Sequence, residues 1–288
     1  LNKSTWKFSA VSRNVHRFDL SLDRVGAQQW FLLQSDVHWD NPHCQRKLFK
    51  KHLDQALERN APVIDIGDFF CAMQGKFDKR SNKSDILPEH QKSNYLDALV
   101  DTAADYLAPY KGILTVRGHG NHESAIKKNH ETDLVERLAE RLKAQGGIAS
   151  AGGFSGYVRF FVTYAGTRKK SFTYWYHHGH GGGGPVTRGV IQSNRHAVFL
   201  ADADIVHTGH THDFWQVPIA RVSLNQSLVV EHSRQAHIST PGYKEEYGDG
   251  AGGWHIERGG PPKPTGAMWL RFVYEGEEGI QFELTEAR

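Results

Sequence analysis

Apolar residues along the 288-residue chain switch repeatedly between a period of two and a period near 3.6. Arg17 to Leu22 and Gln28 to Leu33 read as two strands separated by a turn. From 43 to 60 the sequence HCQRKLFKKHLDQALERN places Leu48, Phe49, Leu53 and Leu57 at helical spacing, and Pro62 to Ile66 returns to a short buried strand. The strand, helix, strand unit then recurs. A helix from about Ser93 to Leu107 precedes a strand at 112–116, a helix covers Thr132 to Ala144, and a helix near Gln192 to Ala201 precedes the strand DIVHTG (204–209). Gly156 to Tyr164 and Ser171 to Tyr176, joined by AGTRKK, form an antiparallel hairpin, and further β-rich runs follow at Phe214 to Val222, Ser227 to His232, Met268 to Tyr274 and Ile280 to Leu284. The sum is an α/β protein with mixed sheets. The Gly/Pro-rich stretch from 241 to 266 is long for a connection inside a compact domain and reads as a lid or a contact element.

Composition narrows the class. Hydrophobic residues at 39% and aromatic residues at 11% describe an ordinary folded chain and do not choose between one large α/β domain and two small ones; one domain over residues 1–288 is the expectation. No apolar run approaches the roughly 18 residues of a membrane span, and Leu1 to His16 lacks the apolar block of a signal peptide, so a cytoplasmic protein with no membrane partner is expected. Cys44 and Cys71 are too few for a disulfide framework or a thiolate zinc site. A net charge of +3 excludes a nucleic-acid-binding arm or a polybasic membrane patch.

The polar clusters carry the chemistry. Asp36 and His38 follow one strand, Gly67 and Asp68 the next, Gly120-Asn121-His122-Glu123 the third, His177 to Gly181 the hairpin, and Gly209-His210-Thr211-His212 the last. Each sits just beyond a strand's final apolar residue, at the carboxyl edge where α/β sheets bind ligands. In an extended segment, Asp36/His38 and His210/His212 are i, i+2 pairs that point to one side. Carboxylate, imidazole and one amide oxygen suit Mn, Fe, Zn or Co. The two oxygens of Asp68 can serve two ions, the arrangement of roughly 3.5–4 Å spacing used in phosphate ester hydrolysis. HGHGGGGP lacks the Lys-Ser/Thr of a nucleotide-binding loop and reads as flexible backbone around His178.

In order, D-x-H, GD, GNH(D/E), H and GHxH resemble the motifs of the calcineurin-like metallophosphoesterases, here Asp36-Val37-His38, Gly67-Asp68, Gly120-Asn121-His122-Glu123, His178 and Gly209-His210-Thr211-His212. The resemblance spans about residues 29 to 215, and the C-terminal part looks similar to phage or prophage members. It implies a four-layer αββα sandwich of two mixed β-sheets flanked by helices. It implies two divalent transition-metal ions, Mn favoured over Fe, Zn or Co, with Asp36, His38 and His212 holding one, Asn121, His178 and His210 the other, and Asp68 bridging. It favours His178 over His177 and His180 as the ligand. A hydroxide activated by both metals would attack phosphorus, while His122, not a ligand, would stabilise the phosphate or protonate the leaving oxygen; Asn121, His122 and Arg188 would contact substrate. One departure is Cys71, where the family often has Asp or Asn after GD.

The expected activity is metal-dependent hydrolysis of a phosphate ester, phosphodiesters favoured. A DNA or RNA nuclease or a phosphomonoesterase on the same site is the alternative, and a non-catalytic scaffold is remote because no ligand is replaced. Arg117, Arg188 and Arg195 are candidates to reach substrate phosphate, and Trp39, Trp175, Trp215 and Trp254 to stack on bases. Asp40, Glu123 and Asp213 flank the ligands as candidate acceptors for imidazole N–H groups. His16, His43, His52, His90, His130, His196, His232, His237 and His255 lack the strand-end context and read as surface or packing residues.

Overall fold

The computed structural model describes residues 5–73, 85–182, 186, 187, 189–248 and 254–288. Strands β1 (Thr5–Ser12), β2 (Val15–Leu22), β3 (Gln28–Gln34), β4 (Val63–Asp65), β5 (Leu114–Arg117), β6 (Ser150–Ala151) and β7 (Ser155–Tyr164) alternate with helices α1 (Arg46–Glu58), α2 (Tyr95–Leu107), α3 (Asn121–His130) and α4 (Leu134–Ala144). After them come β8 (Arg168–His177), α5 (Val190–Phe199), β9 (Ile205–Thr208), β10 (Trp215–Leu224), β11 (Val230–Ser239), α6 (Trp254–Glu257), β12 (Met268–Tyr274) and β13 (Ile280–Glu286).

The strands form two sheets. One has seven strands in the order β1-β2-β7-β8-β9-β11-β10, the other six in the order β13-β12-β3-β4-β5-β6. Both are mixed: β3, β4, β5 and β6 run parallel while β12 joins β3 antiparallel, and β8 pairs parallel with β9 but antiparallel with β7. Alternation explains the interface between the sheets. In β2 the buried residues His16, Phe18, Leu20 and Leu22 face inward, and Phe18 and Phe160 of one sheet meet Phe31 and Phe272 of the other.

Helices cover the outer faces. Phe49 and Leu53 of α1, Leu99 and Leu107 of α2 and Leu138 and Leu142 of α4 pack in one core with Leu32, Val63 and Leu114 of the six-stranded sheet. On the opposite side Trp175 and Val206 pack with Leu200, at the end of α5. The architecture is the four-layer α/β sandwich of two mixed sheets flanked by helices that the sequence led us to expect. Among the described residues no helix is long and apolar enough to cross a membrane.

Most predicted helices and strands recur within a few residues of their expected ends, but the strand expected at Ser227 to His232 runs instead from Val230 to Ser239, and β1, β6, α3 and α6 are additions. Strand β1 pairs with β2 through the alternating Trp6, Phe8 and Ala10. Helix α3 has no apolar stripe, since Ile126 is its only fully buried apolar side chain, and its start is fixed instead by a carboxylate cap described below.

Candidate metal centre

Five loops leave the carboxyl ends of β3, β4, β5, β8 and β9 and meet at one edge of the two sheets. Asp36 and His38 follow β3, Asp68 follows β4, Asn121 opens α3 after β5, His178 follows β8, and His210 and His212 follow β9. The backbone there is unusual. Among the described residues ten non-glycine residues have positive φ, and five of them are Asp36 (52°), His38 (48°), Asp68 (52°), His210 (70°) and His212 (54°). Left-handed backbone costs on the order of 1–3 kcal/mol per residue and persists where the surroundings over-determine it, commonly at functional sites. This corrects one expectation from sequence. The pairs 36/38 and 210/212 do not converge as alternate residues of an extended strand; each side chain is aimed by its own left-handed turn.

The turns bring potential ligand atoms into two groups, Asp36 with His38 and His212, and Asp68 with His178 and His210; within each, the ligand atoms lie within 4.8 Å of one another. Asn121 joins the second group, its Oδ1 2.7 Å from Nδ1 of His210 and 3.2 Å from Nε2 of His178. His178 links the groups, with Nε2 3.1 Å from Oδ2 of Asp68 and 3.9 Å from Oδ1 of Asp36. His177 is turned away: it stacks on Trp175, and its Nδ1 accepts the Gly179 N–H. The seven residues expected as ligands are thus gathered in one place, whereas Arg188 lies outside the described residues.

The electrostatics favour a cation. Burial pushes the Asp36 carboxyl up to about 7, with His178 offsetting part of the rise. Burial would raise Asp68 too, but His178 and then His122 hold it well below the usual carboxylate range. Burial would lower His178, yet the charges of Asp68 and Asp36 raise it to about 9. His38 is held well below its ordinary value by burial, then by His122 and His212, and burial followed by Lys244 and His255 takes His212 down to about 3. Two neutral imidazoles therefore meet nitrogen to nitrogen, Nε2 of His38 and Nε2 of His212 lying 3.3 Å apart. Nitrogens about 2.0–2.1 Å from a shared ion subtend about this distance in tetrahedral geometry. Oδ1 of Asp36 is buried with no hydrogen bond while 3.6 Å from His212, so it too is an acceptor waiting for a cation. The residues present fit a divalent metal: His38 and His212 are already the neutral imidazoles that metal binding requires, while His178, held protonated by Asp68 and Asp36, would give up its proton to a cation that takes over the pairing with those carboxylates.

Of the carboxylates expected to accept imidazole N–H groups, Glu123 and Asp40 act on the backbone and Asp213 on a lysine. Glu123 accepts N–H groups from Gly120 (2.9 Å), Asp68 (3.1 Å) and Phe70 (2.9 Å), capping α3 and tying it to the loop after β4. Asp40 accepts the N–H groups of Cys71 and Ala72, and Asp213 pairs with Lys263. At the N-terminus of α3 the His122 N–H donates to Oδ1 of Asp68 at 2.9 Å, so the helix end supports that negative charge. Nδ1 of His122 lies 2.6 Å from the Cys71 carbonyl and must donate to it, which leaves Nε2 facing the centre, 3.8 Å from Oδ2 of Asp68. A backbone carbonyl thus orients this imidazole, and the Cys71 side chain is not needed for that. The thiol itself is buried, accepts from Asn41 Nδ2, and is grouped with His38 and His122 as a third potential ligand set.

Other expected contacts fall elsewhere. Arg117 is buried, its guanidinium 3.5 Å from Asp65 and over the Phe69 ring, so it is a core ion pair and not a group for substrate. Arg195 is exposed on α5. Trp39 and Trp175 are packed in the two helix-facing cores and offer no stacking platform; Trp215 is half-buried. Conversely, the segment beginning at Pro241, read from sequence only as a candidate lid, forms a wall of the centre. The Tyr243 N–H donates to the Asp36 carbonyl, and Lys244, paired with Glu246 at 2.5 Å, and His255, whose ring lies 5.9 Å from that of His212, stand on the same side. No local motif in the sequence marks Lys244 or His255.

Gly242 makes this wall possible. A Cβ there would lie 2.7 Å from the Asp36 carbonyl oxygen and 3.0 Å from Nδ1 of His212. Gly242→Ala is expected to destabilise the protein by about 1–3 kcal/mol through overpacking and to weaken cation binding. Urea unfolding and metal titration read the two effects; a variant unchanged in both would show that the wall can back away freely.

No family model matches the chain, and no curated protein matches it. Among solved structures it is similar to a conserved uncharacterized protein from Streptococcus pneumoniae, a predicted phosphoesterase, with 12% identity over 91% of this chain and 99% of that chain and a TM-score of 0.29. So distant a likeness carries no functional weight, which rests on the geometry of the centre itself.

Proposed function

We propose that the protein is a metal-dependent phosphoesterase, acting on phosphodiesters by preference, with residues 1–288 forming a single domain and the described part of the segment beginning at Pro241 lining its cleft; the rest of the lid expected at 241–266, residues 249–253, lies outside the described residues. The observation that carries this reading is the convergence of Asp36, His38 and His212 beside Asp68, His178, His210 and Asn121, with unusual backbone at five of the seven. On this reading the first three hold one ion, Asn121, His178 and His210 the other, and Asp68 contributes to both. Manganese is the ion we favour, in line with the resemblance noted from sequence, although the carboxylate, amide and imidazole donors suit Mn, Fe, Zn or Co alike. Bound there, divalent ions supply Lewis acidity toward phosphoryl oxygens and water.

The chain's own groups do the rest. Asp68 is held in place by the His122 N–H, and its neighbour Glu123 locks the loop that presents it. His122, only 14% exposed at its side chain, is fixed through Nδ1 and can carry a proton at Nε2. A proton placed there serves the departing alkoxide of a diester, which leaves poorly without one.

The test is a paired activity profile of manganese-loaded wild type and His122→Ala on an aryl phosphodiester, a phosphomonoester, and single-stranded and duplex DNA. Wild type is expected to hydrolyse the diester, and His122→Ala to lose about 10²-fold in kcat while retaining its metal. Preference for DNA would make the enzyme a nuclease. Wild type that is inert with metal bound sinks the reading, and an unimpaired His122→Ala removes the catalytic role of that residue.

A further inference from the structure

We propose that Tyr174, His207, Thr240 and Ser35 form a polarised hydrogen-bond chain that positions the Asp36 carboxylate for cation binding; this rests on the metal reading above. The four side chains are fully buried in the layer between the sheets, Tyr174 and His207 on β8 and β9, Thr240 just past β11, and Ser35 just past β3. The Tyr174 hydroxyl lies 2.5 Å from Nδ1 of His207, Nε2 of His207 2.8 Å from the Thr240 hydroxyl, and the Thr240 hydroxyl 2.8 Å from that of Ser35. The Ser35 hydroxyl in turn is a hydrogen-bonding neighbour of the Asp36 carboxylate.

The far end dictates the direction of every link. A carboxylate that holds a cation only accepts, so Ser35 donates to Asp36; Ser35 must then accept from Thr240, Thr240 from Nε2–H of His207, and Nδ1 of His207 from the Tyr174 hydroxyl. Tyr174 heads the chain as a donor, and His207, Thr240 and Ser35 each accept once and donate once. That pattern needs a neutral imidazole and a protonated phenol, and burial supplies both, taking His207 down to about 3 and Tyr174 well above its ordinary value. Chains of this kind strengthen each link by polarisation.

A purely structural role explains the arrangement poorly. The layer around it is aromatic and aliphatic, and well-packed apolar side chains there would stabilise the fold at least as well as a buried polar chain. Its terminus is what distinguishes it. Oδ2 of Asp36 accepts the His210 N–H at 2.9 Å, whereas Oδ1, turned toward His212 and His178, has no hydrogen bond. Ser35 and His210 together thus fix the carboxylate plane and decide which oxygen is offered. Neither Ser35 nor His207 belongs to the ligand motifs, and the chain joins strands of both sheets to a single ligand.

The test is equilibrium binding of Mn²⁺ alone to metal-stripped full-length protein, with Thr240→Val, Ser35→Ala and Thr240→Ser compared with wild type, and the melting temperature of each metal-free form measured in parallel. Wild type should bind two equivalents; Thr240→Val and Ser35→Ala should weaken one of them by about 10- to 100-fold, leave the other within about twofold, and Thr240→Ser should restore the first to within about threefold. Thr240→Val and Ser35→Ala with both affinities within about twofold of wild type would overturn the chain while leaving the metal reading intact. Equal loss at both ions with a collapsed melting temperature would also overturn it, as a packing defect. A wild type that takes up no manganese removes the metal reading, and this inference with it.

Discussion

Asp68→Asn is expected to lower phosphoesterase activity by about 10³-fold and to reduce manganese uptake from two equivalents to one or fewer, with the fold retained. The size follows from what the carboxylate does. It lies 3.1 Å from Nε2 of His178 and 3.8 Å from Nε2 of His122, and its Oδ1 accepts the His122 N–H. Removing one partner of a buried charge pair costs about 3–5 kcal/mol, and about 1.4 kcal/mol is tenfold in rate or affinity. Asparagine keeps the shape and can still accept the His122 N–H, so helix α3 should remain in register. Activity assays beside elemental analysis at saturating manganese give the answer. If the variant keeps two ions and activity within about tenfold, Asp68 does not serve both, and the second ion must depend on Asn121, His178 and His210 alone.

How much of this could be read from residues alone depends on whether the cause was local. The strands and helices were legible because β2, β7, α1 and α4 each bury one face against a neighbour, which forces a period onto the sequence. The residues of the candidate centre were legible because strand ends converge whatever the loops do, and because Asp36, His38, His210 and His212 come as close pairs. Helix α3 was not legible, since its start depends on the Glu123 carboxylate meeting the Gly120 amide just before it and amides in a loop more than 50 residues away. Arg117 shows the converse failure. Next to the GNH cluster it looked available to substrate, but it ends β5 pointing into a pocket formed by Asp65 and Phe69, and only the pairing of β4 with β5 reveals that. Lys244, Tyr174 and Thr240 were invisible for the same reason, because each acquires its role from a contact across the fold.

His16→Leu is expected to raise stability by about 1 kcal/mol at pH 7.5 and by about 4 kcal/mol at pH 4. His16 sits on the inward face of β2 with Phe18, Leu20 and Leu22, stacked on Phe8, fully buried, and neither ring nitrogen has a hydrogen-bond partner. Leaving a buried polar group unsatisfied costs about 1–3 kcal/mol, which sets the difference near neutral pH. The acid part follows from burial, which lowers this imidazole from 6.5 to about 4. In the folded chain it stays neutral where the unfolded chain already binds a proton, so the unfolded state gains protons first as pH falls. Stability from this residue is therefore intact above about pH 6.5, declines as the pH drops through the window from 6.5 to about 4, and by the lower limit has fallen by about 3 kcal/mol. Leucine removes the titrating group, so the two urea-unfolding free energies should diverge across that window and run parallel above it. Curves that stay parallel down to pH 4 would mean that acid lability arises at other buried histidines, of which His52 and His237 are also lowered to about 4 by burial. A leucine variant less stable at pH 7.5 would instead show that the Phe8 stack outweighs the unsatisfied nitrogens.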